Sequence, residues 1–270
     1  MANVLIKNIL ERLPAALVLI LAVSGILYFQ NTLLIYTLIV VVVSVMIFEW
    51  LQLSDSRVDI LQVLFFIFLT TLLFQTNISF LTLFLFISSF FWLTYAFALF
   101  ANKKLPFLSF DNNYLGSFLI FGFLLGLVYL LEFAVFSGFN RFFIIFIVLL
   151  STVLIDVGAY LVGSSLGKTP LFPLISPNKT LEGLLGGAIL VLIFNLLLYF
   201  FDLISIEILF ILIISIPFGF IGDYFESSLK RTKSVKDSGS LIPGHGGIWD
   251  RLDSHIAVIP VFSLLTIMLI

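Results

Sequence analysis

The chain has 270 residues, of which 61% are hydrophobic and only 10% charged, with a mean hydropathy of +1.25. Soluble globular domains carry about 25% charged residues, so this composition excludes one and requires an integral membrane protein. The net charge of −2 averages over strong local asymmetry and points to no class of partner, and the lack of cysteine excludes disulfides, thiolate catalysis and Cys-ligated metals.

Spanning a bilayer takes about 20 mostly apolar residues. Apolar stretches bounded by polar, Pro or Gly breaks predict nine helical spans, at 14–29, 32–50, 59–75, 78–100, 116–136, 142–163, 181–201, 206–223 and 255–270. The expected fold is an all-α, polytopic helix bundle forming one integral membrane domain over residues 1–270. Lys7 and Arg12 before the first run resemble a signal peptide, but no A-x-A-like site closes it and similar runs follow, so it reads as a retained span. Only Gln30-Asn31 and Gln75-Thr76-Asn77 separate the first two pairs of spans, which predicts helical hairpins. Within residues 1–140 the pattern is hydrophobic and otherwise unspecific. Glu49, Asp55, Arg57 and Asp59 read as a solvated connection, and Trp50 and Trp92 as interfacial anchors. The pairs Gly122/Gly126 and Gly183/Gly187 have the spacing that permits close helix contact.

With nine crossings and a cytoplasmic N-terminus, twelve of the 13 Lys and Arg residues fall inside and Arg141 alone outside. That asymmetry fits the positive-inside rule and places the polar segment 224–254 in the cytoplasm. Asp156 lies within the sixth span, and an ionisable residue there marks function unless a neighbouring Lys or Tyr pairs with it. After it come Gly167-Lys168 and Ile175-Ser-Pro-Asn-Lys-Thr-Leu-Glu-Gly183. This reads as a helix start, with Asn178 or Thr180 as N-cap and Glu182 in the first turn. Exposed N–H groups there, beside Lys179, would suit an anion.

The stretch Gly222–Ser254 concentrates five of the 13 cations and five of the 15 acids. If the preceding helix continues, Asp223, Glu226 and Lys230 share one face. Asp250 and Asp253 repeat the three-residue spacing where the chain turns apolar again. Two such acid pairs make a site for Mg²⁺, which takes few protein carboxylates and completes its shell with water and substrate phosphate. Between them lie Lys230, Arg231, Lys233 and Lys236, then Gly239, Gly244, Gly246 and Gly247 around Pro243 and His245. A glycine turn beside cations suits a polyphosphate. Acids, cations and a permissive loop together indicate phosphoryl or nucleotidyl transfer. His245 is open to three readings: a base, a phosphate contact or a loop residue. His255 reads as an interfacial helix-start residue, and Trp249 as lining a nucleotide or lipid pocket.

The order Ser227, Leu229, Lys230-Arg231, Lys236-Asp237, Gly239, Ile242-Pro243, His245-Gly246-Gly247-Ile248, Asp250-Arg251-Leu252-Asp253 resembles the signature of the phosphatidate cytidylyltransferase family, the CDP-diacylglycerol synthases, without departure. Asp156-x-Gly-Ala-Tyr160 and Ser176-Pro177-x-Lys179-Thr180-x-Glu182-Gly183 also resemble that family, so the likeness covers the catalytic half, 150–270. It implies synthesis of CDP-diacylglycerol and pyrophosphate from CTP and phosphatidate. The implied roles are metal carboxylates at Asp223 and Asp250, then Asp253 and Asp237, and phosphate clamps at Lys230, Arg231, Lys236 and Arg251. Substrate contacts would fall to Lys179, Ser176, Asn178, Asp156, His245, Gly246 and Gly247. The implied cofactor is Mg²⁺, with room for a second cation. The implied setting is the bacterial inner membrane with the site facing the cytoplasm, as a homodimer and with no nucleic-acid partner. The alternatives are a lipid kinase, a cytidylyltransferase acting on an isoprenoid lipid phosphate, or, in another class, an anion transporter.

Overall fold

A computed structural model describes residues 21–54, 77–101, 108–239 and 246–270. The regular elements among them are helices: α1 (Thr32–Leu53), α2 (Ile78–Phe100), α3 (Asn113–Val128, continued by a π-helical turn Tyr129–Phe133), α4 (Arg141–Leu166), α5 (Leu181–Phe200), α6 (Ile206–Ser215), α7 (Pro217–Thr232) and α8 (Trp249–Leu269). Seven segments are long and apolar enough to cross a membrane, with α6 and α7 counting as one, Ile206–Thr232. They match seven of the nine predicted spans. Of the other two, 59–75 lies outside the described residues and 14–29 is described only over helical residues 21–29. Gln30 joins that helix to α1 in the left-handed region (φ 53°), a connection as short as the sequence predicts.

Polar residues set the helix starts. Asn31, Asn77, Asn112, Asn140, Thr180 and Ser205 each cap a helix by accepting a backbone N–H two or three residues on. Such caps contribute about 1 kcal/mol apiece. Pro217, which lacks an N–H, begins α7 and separates it from α6.

α8 is the hub, touching α2, α3, α4, α6 and α7. Small residues let it and its neighbours come close. A Cβ on Gly126 would lie 2.7 Å from Ile259 Cγ2, and Ser263 Oγ donates to the Gly126 carbonyl at 3.0 Å. α4 and α5 pack backbone to backbone: a Cβ on Gly158 would lie 2.8 Å from Gly187 Cα, and one on Gly183 2.8 Å from the Ala159 carbonyl oxygen. Both small-residue pairs noted in the sequence are therefore spent inside the chain.

The two ends of the bundle differ. At one end, Arg141 at the start of α4 donates to the Leu131 carbonyl (2.6 Å), and Tyr36 hydroxyl bonds to Glu132. The described Lys residues, Arg231 and Arg251 gather at the other end, where α4, α7 and the loop into α5 meet the start of α8.

Candidate active site

Three helices and one loop converge at the charged end. α7 does not stop at Tyr224 but runs to Thr232, so Asp223, Glu226 and Lys230 stay on one helical face. Its polar half is brought against α8 at Gly222, where a Cβ would overlap the carbonyl oxygen of Asp253. The signature acids Asp250 and Asp253 are already helical, on the first turns of α8.

The first cluster is built around Lys179. Its Nζ lies 2.5 Å from Asp223 Oδ1, donates to Ser227 Oγ at 3.2 Å, and sits 4.5 Å from the centre of the Tyr224 ring. Asp156 accepts from Ser254 Oγ (3.1 Å) and feels the charges of Asp223, Lys179 and Arg251. Asp156 thus has a hydroxyl as its direct partner; among the described residues neither a Lys nor a Tyr donates to it. Asp253 lies within electrostatic reach of Asp223, Glu226 and Asp156. Four carboxylates so close repel unless cations answer them.

Beside this cluster is a cavity of about 740 Å³ between α4, α5 and α7. Its lining mixes polar side chains, Asp156, Tyr160, Lys168, Ser176, Asn178, Lys179 and Asp223, with apolar ones, Ile155, Ala159, Leu184 and Phe220. Gly163, Gly167 and Gly183 keep the wall between α4 and α5 free of side chains.

The loop from Gly167 to Thr180 is tied down by its own hydrogen bonds. Glu182 accepts from Lys168 N (3.0 Å), Thr169 N (3.1 Å) and Thr169 Oγ1 (2.9 Å). Thr180, one of the two residues read as N-cap, accepts from Gly183 N, while Leu181 N donates to the Thr169 carbonyl. The N–H groups expected to be open to an anion at this helix start are thereby used within the protein. What faces the cavity is the side chains of Lys168 and Lys179.

The second cluster is built around Asp250. Its Oδ1 pairs with Lys230 Nζ at 2.7 Å, and its Oδ2 accepts from Ser238 N, Ser238 Oγ and Gly247 N, each at 2.8 Å. Lys230 also pairs with Glu226 Oε2 at 2.5 Å. Gly246 adopts φ +80°, and a Cβ there would overlap Asp250 Oδ2, so this position requires glycine on both counts. Lys236 and Asp237 are exposed, and Asp237 lies beside Gly246. Arg231 is turned away from both clusters, donating from Nε to the Ile175 carbonyl at 3.1 Å. Lys233 reaches Asp111 Oδ1 at 2.5 Å, and this holds the Asp111 carboxyl below the usual aspartate range. His245 lies outside the described residues.

Three sequence readings are overturned. Glu49 is fully buried: its Oε1 accepts from Ile248 N (2.9 Å) and its Oε2 from Trp249 N (3.0 Å). It belongs to the site, not to a solvated connection. Trp50 and Trp92 are buried too, Trp50 stacking 5.1 Å from Trp249 and 4.8 Å from Phe110, so neither is an interfacial anchor. His255 is buried with Nε2 3.3 Å from the Leu149 carbonyl oxygen. Glu49 did leave a signal: it follows Met46 by three residues, on the face that buries Ile39, Val43, Met46 and Trp50.

Residues 10–269 match the Cytidylyltransferase family, and the chain belongs to it. It is 47% identical over 117 residues to the phosphatidate cytidylyltransferase of Staphylococcus haemolyticus, 42% of this chain and 45% of that one. It is also 47% identical over 113 residues to that of Bacillus subtilis, 41% of this chain and 42% of the relative. For Staphylococcus aureus the figure is 51% over 118 residues, 42% and 45%. The matched stretch spans less than half the length of these curated relatives.

Proposed function

We propose that this multi-pass membrane protein is a phosphatidate cytidylyltransferase, joining CTP and phosphatidate into CDP-diacylglycerol with release of pyrophosphate. The observation that carries the reading is the cavity of about 740 Å³ lined both by Lys168, Lys179, Asp156 and Asp223 and by the apolar Ile155, Ala159, Leu184 and Phe220. A lipid phosphate needs both surfaces. The acyl chains can stay in the bilayer, since extracting them costs about 0.8 kcal/mol per methylene. The names of the relatives and the family membership support the same reaction. The concentration of cations at this end of the bundle supports a cytoplasmic site, where nucleotides are, in the inner membrane of a bacterium.

In this reaction a non-bridging oxygen of the lipid phosphate attacks the α-phosphorus of CTP. The bond from that phosphorus to the bridging oxygen of the β-phosphate breaks, and its electron pair leaves with pyrophosphate. A phosphate monoester has a second pKa near 6, so the attacking oxygen needs no base at neutral pH. The barrier is electrostatic, because two polyanions must meet. Lys179 and Lys168 draw the phosphates into the cavity, and Arg251, within electrostatic reach of Asp156, adds charge at its rim.

The carboxylates also fit a hard cation. Asp156, Asp223 and Asp253 lie within electrostatic reach of one another, although no three acidic or His side chains among the described residues close around a common point. Mg²⁺ needs few protein carboxylates, because it keeps water and substrate phosphate in its shell. Asp223 and Asp253 would hold it; Asp250, whose Oδ1 pairs with Lys230 and whose Oδ2 accepts three donors, would join only by releasing Lys230. When bound, Mg²⁺ would neutralise the α-phosphate and the leaving pyrophosphate.

The test is pyrophosphate release by detergent-purified protein supplied with CTP, Mg²⁺ and phosphatidate, run beside Asp250→Asn and with diacylglycerol in place of phosphatidate. Turnover that requires both substrates and falls steeply, to a measurable residue, in the variant is expected. Release of CDP in place of pyrophosphate with diacylglycerol would mean a lipid kinase, and a protein that binds no nucleotide would end the enzyme reading.

A further inference from the structure

Helix α8 carries two of the acids of the site, yet it has no N-cap of its own: Ile248 stands at the cap position and no side chain of the local sequence accepts from the first turn. The missing acceptor comes from α1, some 200 residues away in sequence. Glu49 takes the N–H groups of Ile248 and Trp249, one on each carboxylate oxygen, while Asp250 takes that of Gly247. The three successive N–H groups leading into α8, those of Gly247, Ile248 and Trp249, are therefore bound by carboxylates.

The fit around Glu49 is tight on every side. A Cβ on Gly239 would lie 2.8 Å from Glu49 Oε1, and one on Gly247 2.5 Å from Glu49 Oε2. Two glycines of the turn are thus packed onto this carboxylate. Trp249 Nε1 donates to the Met46 carbonyl at 2.7 Å, fixing the indole to the same helix. Glu49 touches neither the cavity nor Lys179, and its contacts run to the turn that holds Asp250.

We propose that Glu49 is a positioning residue of the reaction: its carboxylate caps α8 from a distant helix and so fixes the Gly246–Asp250 turn in which Asp250 is held. This rests on the cytidylyltransferase reading above. A negative charge is favoured at a helix start, and two charge-assisted hydrogen bonds in a buried setting hold geometry better than a neutral cap. A consequence follows for substrate binding. With the amides of Gly247, Ile248 and Trp249 taken by carboxylates, side-chain cations are left to bind phosphates at this turn.

The experiment uses the full chain in detergent and the variants Glu49→Gln, Glu49→Asp, Asp250→Asn and Glu49→Gln/Asp250→Asn. Two readouts are taken: amide hydrogen exchange at Ile248 and Trp249, and steady-state pyrophosphate release. In Glu49→Gln, exchange at these two amides should quicken about 10- to 100-fold, the worth of a charge-assisted hydrogen bond, while mid-α8 and α7 keep wild-type protection. Its kcat should fall about 10-fold or more with KM for CTP within about twofold, because no substrate contact is removed. On the Asp250→Asn background the same change should cost nothing further, since both act through one turn. Glu49→Asp keeps the charge but reaches only one N–H, and should fall between wild type and Gln in both readouts; it carries the test alone if the Gln variant does not fold.

Unchanged exchange at Ile248 and Trp249 in a folded variant overturns the proposal. So does lost protection with kcat intact, which would make the cap structural only, and so does a loss that multiplies with Asp250→Asn. A wild-type protein inactive with CTP and phosphatidate sinks the reaction and the positioning role together, while exchange still reports whether the cap exists.

Discussion

Lys230 is the cation on which the charge balance of the α7–α8 junction depends. Its ammonium lies 2.5 Å from Glu226 and 2.7 Å from Asp250, whose side chains are 1% and 6% exposed. Lys230→Met keeps the aliphatic stem and removes the charge, leaving two buried carboxylates facing each other. At a separation of about 5 Å and an effective dielectric near 20, their repulsion alone is about 3 kcal/mol. Removing one partner of a buried ion pair costs about 3–5 kcal/mol in all, so the variant should melt roughly 10 °C below wild type. Adding Glu226→Gln removes one of the stranded charges and should recover about half of the loss. Thermal unfolding in detergent, followed by tryptophan fluorescence, measures both. A single variant melting within about 2 °C of wild type, or a double variant no better than the single, would show that these carboxylates do not share a buried cation.

Further tests address the packing and the loop. Gly187→Ala would drive a methyl group into the Ile155 carbonyl and part α4 from α5, at a cost of about 1–3 kcal/mol in thermal unfolding. Gly25→Ala, with nothing within 4 Å, should instead gain up to about 1 kcal/mol of helix propensity. Glu182→Ala frees the Lys168 and Thr169 amides, so hydrogen exchange should rise across 167–180 and KM for CTP should increase, with no change in α7. Asp111 titrates below its ordinary value of about 3.9 because Lys233 donates to it. A depressed carboxyl stabilises above the unfolded value and loses that contribution as pH falls through the folded one. Asp111→Asn should therefore quicken proteolysis near residue 111 at pH 7 and match wild type once the pH has fallen below the depressed folded value.

What was legible in the sequence is what local chemistry fixes. Spans such as 78–100 and 181–201 were readable to within a residue or so because each opens on Asn77 or Thr180, a cap whose side chain bonds to its own first turn. The shared face of Glu226 and Lys230 followed from helical spacing alone. The division of labour among the acids was not legible, because it depends on which helices touch. Asp250 looks equivalent to Asp223 in spacing, yet Asp250 is wrapped by Lys230, Ser238 and Gly247 while Asp223 opens onto the cavity.

Glu49 shows the same limit from the other side. Next to Asp55 and Arg57 at the end of an apolar run, it has the local context of a solvated connection. Only the approach of α8, some 200 residues later, turns it into a buried acceptor. The glycines of the signature are explained by the same contact: Gly239 and Gly247 leave room for the carboxylate of a helix in the part of the chain that the motif does not reach. A signature read as a phosphate loop is thus, in this fold, first a surface shaped to receive Glu49 and Asp250. At Gly239, Gly246 and Gly247 the permissive backbone makes room for the protein's own acids, while in the proposed reaction Lys168 and Lys179 of the cavity would attract the phosphates.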